Sequence, residues 1–216
     1  MLDAQENTPG FYFDYLLRSD KFPQSVYHKP KIRITEELIQ SCPAGATVLD
    51  AGCGSGYITA PFLNRYNIVG IDHQDEAIEY CKRHYPQGNY FKAELTGNSL
   101  PVEPHSVDVI LFHDAIEHFK EPLKALELLS TVLKPGGKIV VSTINYSNPL
   151  WFLLENTWHR LVAGNCRTYS KDVHPTRYTA SLLREHCQTH FDEMELRIEM
   201  IWMELFFIGT NKRRTS

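Results

Sequence analysis

Val48-Leu49-Asp50-Ala51-Gly52-Cys53-Gly54-Ser55-Gly56-Tyr57 runs from an apolar, β-rich start through an acid into three glycines spaced two apart. A strand ending in such a turn brings its backbone close to something, because a missing Cβ permits both positive φ and close approach. The first N–H groups of a following helix would be unpaired and available to an anion or a polar group. The spacing argues against two common alternatives. Dinucleotide enzymes favour G-x-G-x-x-G, whereas position 57 is Tyr, and no Gly-Lys-Ser/Thr follows, as a P-loop would require. A tight strand-to-helix connection with no ligand would look the same locally, so the rest of the chain has to decide.

Up to residue 144 the apolar pattern alternates between short β-rich runs and helical spacing, as a parallel α/β sheet requires. Strands are expected at Thr47–Leu49, Ile68–Ile71, Tyr90–Phe91, Val107–Phe112 and Lys138–Ile144. Helices are expected around Ile58, Phe62 and Leu63, around Ile78 and Cys81, and from Leu123 to Leu133. Pro122 suits a first helical position, and Gly136 suits a left-handed helix end. Ile34–Ile39 predicts a short helix ahead of the first strand, and Thr179–Phe191 predicts another. Met194, Leu196, Ile198 and Met200 alternate with Glu193, Glu195, Arg197 and Glu199, the pattern of a strand with one face in water. Leu205–Ile208 is expected to turn back as its antiparallel neighbour.

The chain has 216 residues, which fits one domain at about 100–200 residues each. With 43% hydrophobic and 22% charged residues it can build an ordinary core, which excludes disorder, collagen and a coiled coil. A net charge of −4 gives no global attraction for nucleic acid. There is no apolar run of membrane-spanning length, and the start MLDAQENTPG lacks the regions of a signal peptide, so a cytoplasmic protein is expected. Cys42, Cys53, Cys81, Cys166 and Cys187 are odd in number, scattered, and free of any C-x-x-C pair, and they read as structural thiols.

Residues 145–178 break the rhythm and read as an insertion. Within it Trp151, Leu154, Trp158, Leu161 and Val162 have amphipathic helical spacing, open to three uses: core packing, a lid over a pocket, or contact with a membrane surface. The expected organisation is a single domain, with residues 1–44 an N-terminal helical cap, 45–144 a ligand-binding core, 145–178 the insertion, and 179–216 a helix and hairpin.

Asp72 closes the second expected strand, where a carboxylate can accept both hydroxyl protons of a ribose. A ribose with no pyrophosphate beside it is the implied ligand. With these two motifs the chain resembles the class I S-adenosylmethionine-dependent methyltransferases, whose first motif is acid-x-Gly-x-Gly-x-Gly and whose second is the acid closing the next strand. Phe91-Lys92-Ala93-Glu94-Leu95 resembles the family's third-strand motif, with Glu94 in place of the commoner Asp. Leu100-Pro101 with Ser106-Val107-Asp108-Val109-Ile110 resembles the fourth strand of the small-molecule branch, and Leu133-Lys134-Pro135-Gly136-Gly137-Lys138 the lead-in to strand five. His174-Pro175-Thr176-Arg177-Tyr178-Thr179 extends a weaker likeness to the ubiquinone-type O-methyltransferases.

The resemblance implies a Rossmann-like, seven-stranded, mostly parallel sheet with helices on both faces and a C-terminal antiparallel hairpin. It implies S-adenosyl-L-methionine as cofactor, S-adenosyl-L-homocysteine as product, and a small-molecule acceptor, aromatic or lipid-soluble, methylated on oxygen or nitrogen. Gly52, Gly54 and Gly56 would let the methionine portion pass, Asp50 would hold the turn or meet the cofactor amine, and Asp72 would hold the ribose. Cys53, His73, Glu94, Leu95 and His113 complete the implied cofactor contacts. His118 is the first candidate for a general base and His113 the second. His113 and Glu117, like Asp114 and His118, are four apart and could also assemble a metal site, but none is expected. No nucleic-acid partner and no stable membrane insertion are expected, and the chain should be a monomer or homodimer. Arg33, Lys29 and His28 either reach the cofactor carboxylate or form a solvated basic face. Tyr12 and Tyr15 either cover the cofactor or pack. An RNA or protein methyltransferase, or a domain that binds the cofactor without turnover, are the alternatives.

Overall fold

A computed structural model describes residues 24–156 and 173–212. Helix α1 (Gln24–Gln40) leads into β1 (Thr47–Ala51), a 3-10 turn (Ala60–Phe62), β2 (Asn67–Asp72), α2 (Asp75–His84), β3 (Asn89–Lys92) and β4 (Val107–His113). A second 3-10 turn (Ile116–His118), α3 (Pro122–Val132), β5 (Leu133–Ile144), α4 (Pro149–Asn156), α5 (Ala180–Cys187), β6 (Phe191–Glu199) and β7 (Glu204–Asn211) follow. The strands form one seven-stranded sheet in the order β3-β2-β1-β4-β5-β7-β6. Every pairing from β3 to β5 is parallel, and β7 is antiparallel to both β5 and β6. The Rossmann-like architecture with a C-terminal antiparallel hairpin is therefore as expected.

Alternate residues of the central strands feed two cores. Leu49, Ile71, Ile110, Phe112, Val141 and Phe207 pack under α3 and α5. Val48, Ile68, Val109, Leu111, Val140 and Phe206 pack under α1 and the first 3-10 turn. Because successive strand side chains point to opposite faces, a slip of one residue would exchange the two cores, and the register is fixed by that cost.

Several elements differ from the reading of the sequence. No α-helix follows the glycine turn, where only the 3-10 turn Ala60–Phe62 forms. Pro61 lies inside it and has no N–H to donate, and the chain must re-enter the sheet at Asn67. Helix α1 is longer than Ile34–Ile39, and α3 stops at Val132, so Gly136, at φ +73°, bends the start of β5 instead of ending the helix. The expected dry face of β6 is not uniform: Met194 is 57% exposed and Ile198 43%, while Leu196 packs on the core. β6 is the outermost strand, and its register with β7 shifts between Glu193 and Glu195, which breaks the alternation at Met194. Trp151 of α4 is buried, whereas Trp158, Leu161, Val162, Cys166, Tyr12 and Tyr15 lie outside the described residues.

The β6–β7 turn puts Met200, Ile201 and Trp202 at φ of +52°, +53° and +65°. Left-handed backbone is costly for L-residues, most of all for a β-branched one such as Ile201. Three side chains from the segment after β5 hold it there. Asn148 Nδ2 donates to the Ile201 carbonyl at 2.8 Å, Asn145 Nδ2 to that of Trp202 at 2.8 Å, and Trp151 Nε1 to that of Met203 at 2.7 Å. No helix among the described residues is long and apolar enough to cross a membrane.

Candidate active site

In open α/β sheets ligands lie outside the carboxyl ends of the strands, at the point where strand order reverses. Here the order reverses between β1 and β4, and the glycine turn after β1 opens on that edge. Gly52, Gly54 and Gly56 have φ of +83°, +49° and +68°. A Cβ added to Gly54 would meet nothing within 4 Å, which leaves open space above the turn, whereas one on Gly52 would lie 3.4 Å from Ala115 Cβ.

Two carboxylates brace the turn. Asp50 is 6% exposed and accepts a hydrogen bond of 3.0 Å from Thr59 Oγ1. Burial pushes its pKa up to about 7, the Thr59 bond opposes this, and the charge of Asp72 adds to it. Asp72, at the end of β2, accepts the Gly54 N–H at 2.9 Å on Oδ2 and the Gln74 N–H at 3.0 Å on Oδ1. Its Oδ1 also lies 3.3 Å from His73 Nδ1. Burial would raise the Asp72 pKa, but these three contacts outweigh it and hold the carboxyl below its ordinary value. His73 is correspondingly raised, chiefly by its bond to Asp72. Cys81 of α2 donates its thiol to the Gly54 carbonyl at 3.2 Å, with the buried Cys53 beside it. Asp50, Gly52, Cys53, Gly54, Gly56, Asp72 and His73 thus gather at one corner. Glu94, which is exposed, and Leu95, which is buried, follow β3 on the Asp72 side.

A second group gathers beyond β4. His113 is partly buried with both ring nitrogens engaged: Nδ1 lies 2.9 Å from Ser142 Oγ and Nε2 lies 3.0 Å from Thr35 Oγ1. Ser142 donates to Asp114 Oδ1 at 3.4 Å, so it accepts from Nδ1–H, and the Thr35 hydroxyl donates to Nε2. Burial and the nearby Lys31 charge bring the His113 pKa down to about 4, so the ring is neutral at physiological pH. His118 is exposed and donates from Nδ1 to the Val173 carbonyl at 3.0 Å. That bond selects the tautomer whose Nε2 keeps a lone pair. The protein packed around the ring partly desolvates it and lowers its pKa, so the lone pair is present at neutral pH.

The sequence reading gave His174 no role, yet it stands against His118 with ring centroids 4.6 Å apart. Its Nδ1 lies 2.5 Å from the Tyr146 hydroxyl, and burial brings its pKa down to about 3. Glu117 is 1% exposed and accepts from Thr143 Oγ1 at 2.9 Å, and burial pushes its pKa up to about 8. Ligand-type atoms of Glu117, His118 and His174 all lie within 4.8 Å of one another. Such a set can receive an acceptor hydroxyl between two neutral imidazoles and a carboxyl, or hold a divalent ion. His174 could have been found from its own motif, but nothing in the sequence brings it to the carboxyl end of β4.

Arg33 faces outward, pairing with Glu37 at 2.9 Å and Glu199 at 2.6 Å, which is the solvated reading of that basic stretch. Lys31, two residues earlier and passed over in the sequence, is 1% exposed. Its ammonium contacts Asp114 and lies 3.0 Å from Glu204 Oε1.

Residues 43–196 match the family model described as a methyltransferase domain. A ubiquinone biosynthesis O-methyltransferase of Leptothrix cholodnii is 30% identical over 142 residues, 61% of this chain and 60% of that protein. The enzyme of the same name from Albidiferax ferrireducens is 31% identical over 168 residues, covering 72% of this chain and 63% of its own length. The matches span from under half to about 63% of the length of these curated relatives. Among solved structures, a chain from the Haloferax volcanii complex of the Trm112 methyltransferase activator with a methyltransferase superposes with a TM-score of 0.70 at 18% identity, covering 97% of this chain and all of that one.

Proposed function

Since the chain belongs to the methyltransferase domain family, we propose that it transfers a methyl group from S-adenosyl-L-methionine to an oxygen or nitrogen of a small-molecule acceptor. The observation that carries this reading is the tie between Asp72 and Gly54, which joins the two motifs a sulfonium nucleoside would need. The open space above Gly54 and the ionised Asp72 beside it fit such a cofactor. When bound, it supplies a methyl already activated by a positive sulfur and leaves as S-adenosyl-L-homocysteine.

In this reading Asp72 accepts the ribose hydroxyls, since a carboxylate taking two backbone N–H bonds still has lone pairs to offer. His73, Glu94 and Leu95 line the adenine side, Asp50 and Cys53 support the glycine turn from within, and His113 closes the end of β4. His118 Nε2 takes the acceptor's proton, and Glu117, protonated at neutral pH, can donate a hydrogen bond to the same acceptor. Much of the rate comes from holding acceptor and methyl in line at about 3 Å with water excluded, so no metal is required. The names of the relatives favour oxygen as the acceptor atom.

Residues 1–44 act as a cap, 45–144 as the cofactor core, 145–178 as a lid over the acceptor, and 179–216 complete the sheet. We assign the protein to the cytoplasm, where the free thiols Cys42, Cys53, Cys81 and Cys187 would stay reduced, working as a monomer or homodimer without nucleic acid.

Titration with S-adenosyl-L-homocysteine, by calorimetry and by thermal unfolding, tests the reading without an acceptor. A ligand at about 100 times its Kd adds roughly 2.7 kcal/mol to stability. Saturable binding is expected; a flat response from folded, ligand-free protein would sink the proposal.

A further inference from the structure

Helix α1 carries the only described lysine that is almost wholly buried, and its partners come from two other parts of the fold. Lys31 Nζ meets the carboxylate of Asp114, just past β4, and lies 3.0 Å from Oε1 of Glu204, the first residue of β7. On its own helix, His28 Nδ1 lies 3.4 Å away. Glu204 is fully buried, and its carboxyl meets the ammonium without well-aligned hydrogen-bond geometry. Asp114 has φ +46°, a left-handed conformation that Asp adopts more readily than most residues other than glycine. Through Ser142 its carboxylate is tied to His113, whose other nitrogen meets Thr35, again on α1. The same helix therefore grips the end of β4 twice, by charge at Lys31 and by hydroxyl at Thr35.

We propose that Lys31 is a positioning residue for the reaction read above: its ammonium gathers the carboxyls of Asp114 and Glu204 into one cluster and so fixes the turn from His113 to His118. First, a buried cation with two carboxyls is costly unless the geometry is held, so the cluster sets one arrangement of α1, the β4 end and β7 against all others. Second, Asp114 is the one member still open to the site, its side chain 31% exposed, so Lys31 fixes an anion at the site edge without itself touching a ligand. Third, the groups facing the cluster from every side are titratable: His28 on α1, His113 and Asp114 at β4, Glu117 on the following turn, and Glu204 on β7. Burial would lower the Lys31 pKa, but Asp114 and Glu204 outweigh it and keep the ammonium charged. That charge in turn helps to keep His113 neutral and Asp114 ionised.

The test uses the isotope-labelled 216-residue chain and histidine NMR titration, with no cofactor or acceptor, so it is separate from whether S-adenosyl-L-homocysteine binds. In the wild type the His113 ring should stay neutral to below pH 5. In Lys31→Met its midpoint should rise by about one unit or more, and Lys31→Arg should restore it. Should Lys31→Met fail to fold, Lys31→Met/Glu204→Leu removes the orphaned carboxyl and should show the same rise. A wild-type midpoint near the ordinary 6.5, or an unchanged midpoint in a folded Met variant, would overturn the inference. A lysine that only filled space would leave that midpoint where it was.

Discussion

The Gly54 amide donates to the Asp72 carboxylate over 2.9 Å, so the first and second motifs of the site are one hydrogen-bonded unit. A charge-assisted bond of this kind contributes about 1.5–3 kcal/mol. Asp72→Asn should therefore loosen the glycine turn as well as remove the ribose acceptor. We expect S-adenosyl-L-homocysteine to bind at least about tenfold more weakly in calorimetry, with circular dichroism unchanged. Equal affinity in the folded variant would rule out the ribose role.

Thr59→Val should act on stability, because it leaves the buried Asp50 without the hydroxyl at 3.0 Å. An unsatisfied buried group costs about 1–3 kcal/mol, so the denaturant midpoint should fall accordingly. Asp50→Asn in the same background should recover part of the loss, since Asp50 loses a charge that burial disfavours. No recovery would argue that Asp50 is held by something other than this pair.

His118→Ala should lower turnover with a competent acceptor by about 10²-fold or more, the usual scale of general-base catalysis, while leaving S-adenosyl-L-homocysteine affinity within about twofold. Single-turnover methyl transfer measures the first and calorimetry the second. Full activity would remove His118 as the base.

Stability should fall between about pH 6.5 and 8. Glu117 and Glu204 have folded pKa values of about 8, above their ordinary 4.5. The folded state therefore keeps protons that the unfolded chain has released, and this contribution is full at low pH and is lost as pH rises through the folded value. His113 and His174 work the other way, from an ordinary 6.5 to about 4 and about 3, so their contribution is complete above 6.5 and lost toward acid. Glu204→Gln should flatten the alkaline fall in thermal midpoints measured at pH 6, 7 and 8. An unaltered slope would mean that Glu204 is ionised in the folded protein.

Ile201→Gly should stabilise. Ile201 is 70% exposed and sits at φ +53°, so the substitution gives up little packing and relieves backbone strain of about 1–2 kcal/mol. A rise of roughly 2–4 °C per kcal/mol is expected for a chain of this size. A lower midpoint would show that the exposed side chain has a partner of its own.

The corner proposed to hold the cofactor was legible as a cluster because its chemistry is local in sequence. Three glycines, the acid before them and the acid closing the next strand are each placed by strand ends, and the period-two runs fix where those ends fall. Lys31 was not legible. It lies in His28-Lys29-Pro30-Lys31-Ile32-Arg33, which reads as a basic surface, and only the docking of α1 separates the buried Lys31 from the exposed Lys29 and Arg33. Its partners Asp114 and Glu204 reach it through the packing of α1 over β4 and β7, which no local pattern encodes. Thr59 and His174 were missed for the same reason. The uneven face of β6 was missed because a bulge at one residue cancels an alternation that the composition still displays.

β7, the last strand among the described residues, lies between β5 and β6. During synthesis β6 leaves the ribosome before β7, the strand that joins it to the sheet, and the outer edge of β5 stays bare until residues 204–211 arrive. Completion of the sheet therefore depends on a late, non-local closure of the kind that folds slowly and exposes strand edges to other chains. β6 reaches the sheet only through β7, so the window in which the nascent chain is most open to aggregation is set by β7, far in sequence from the glycine turn.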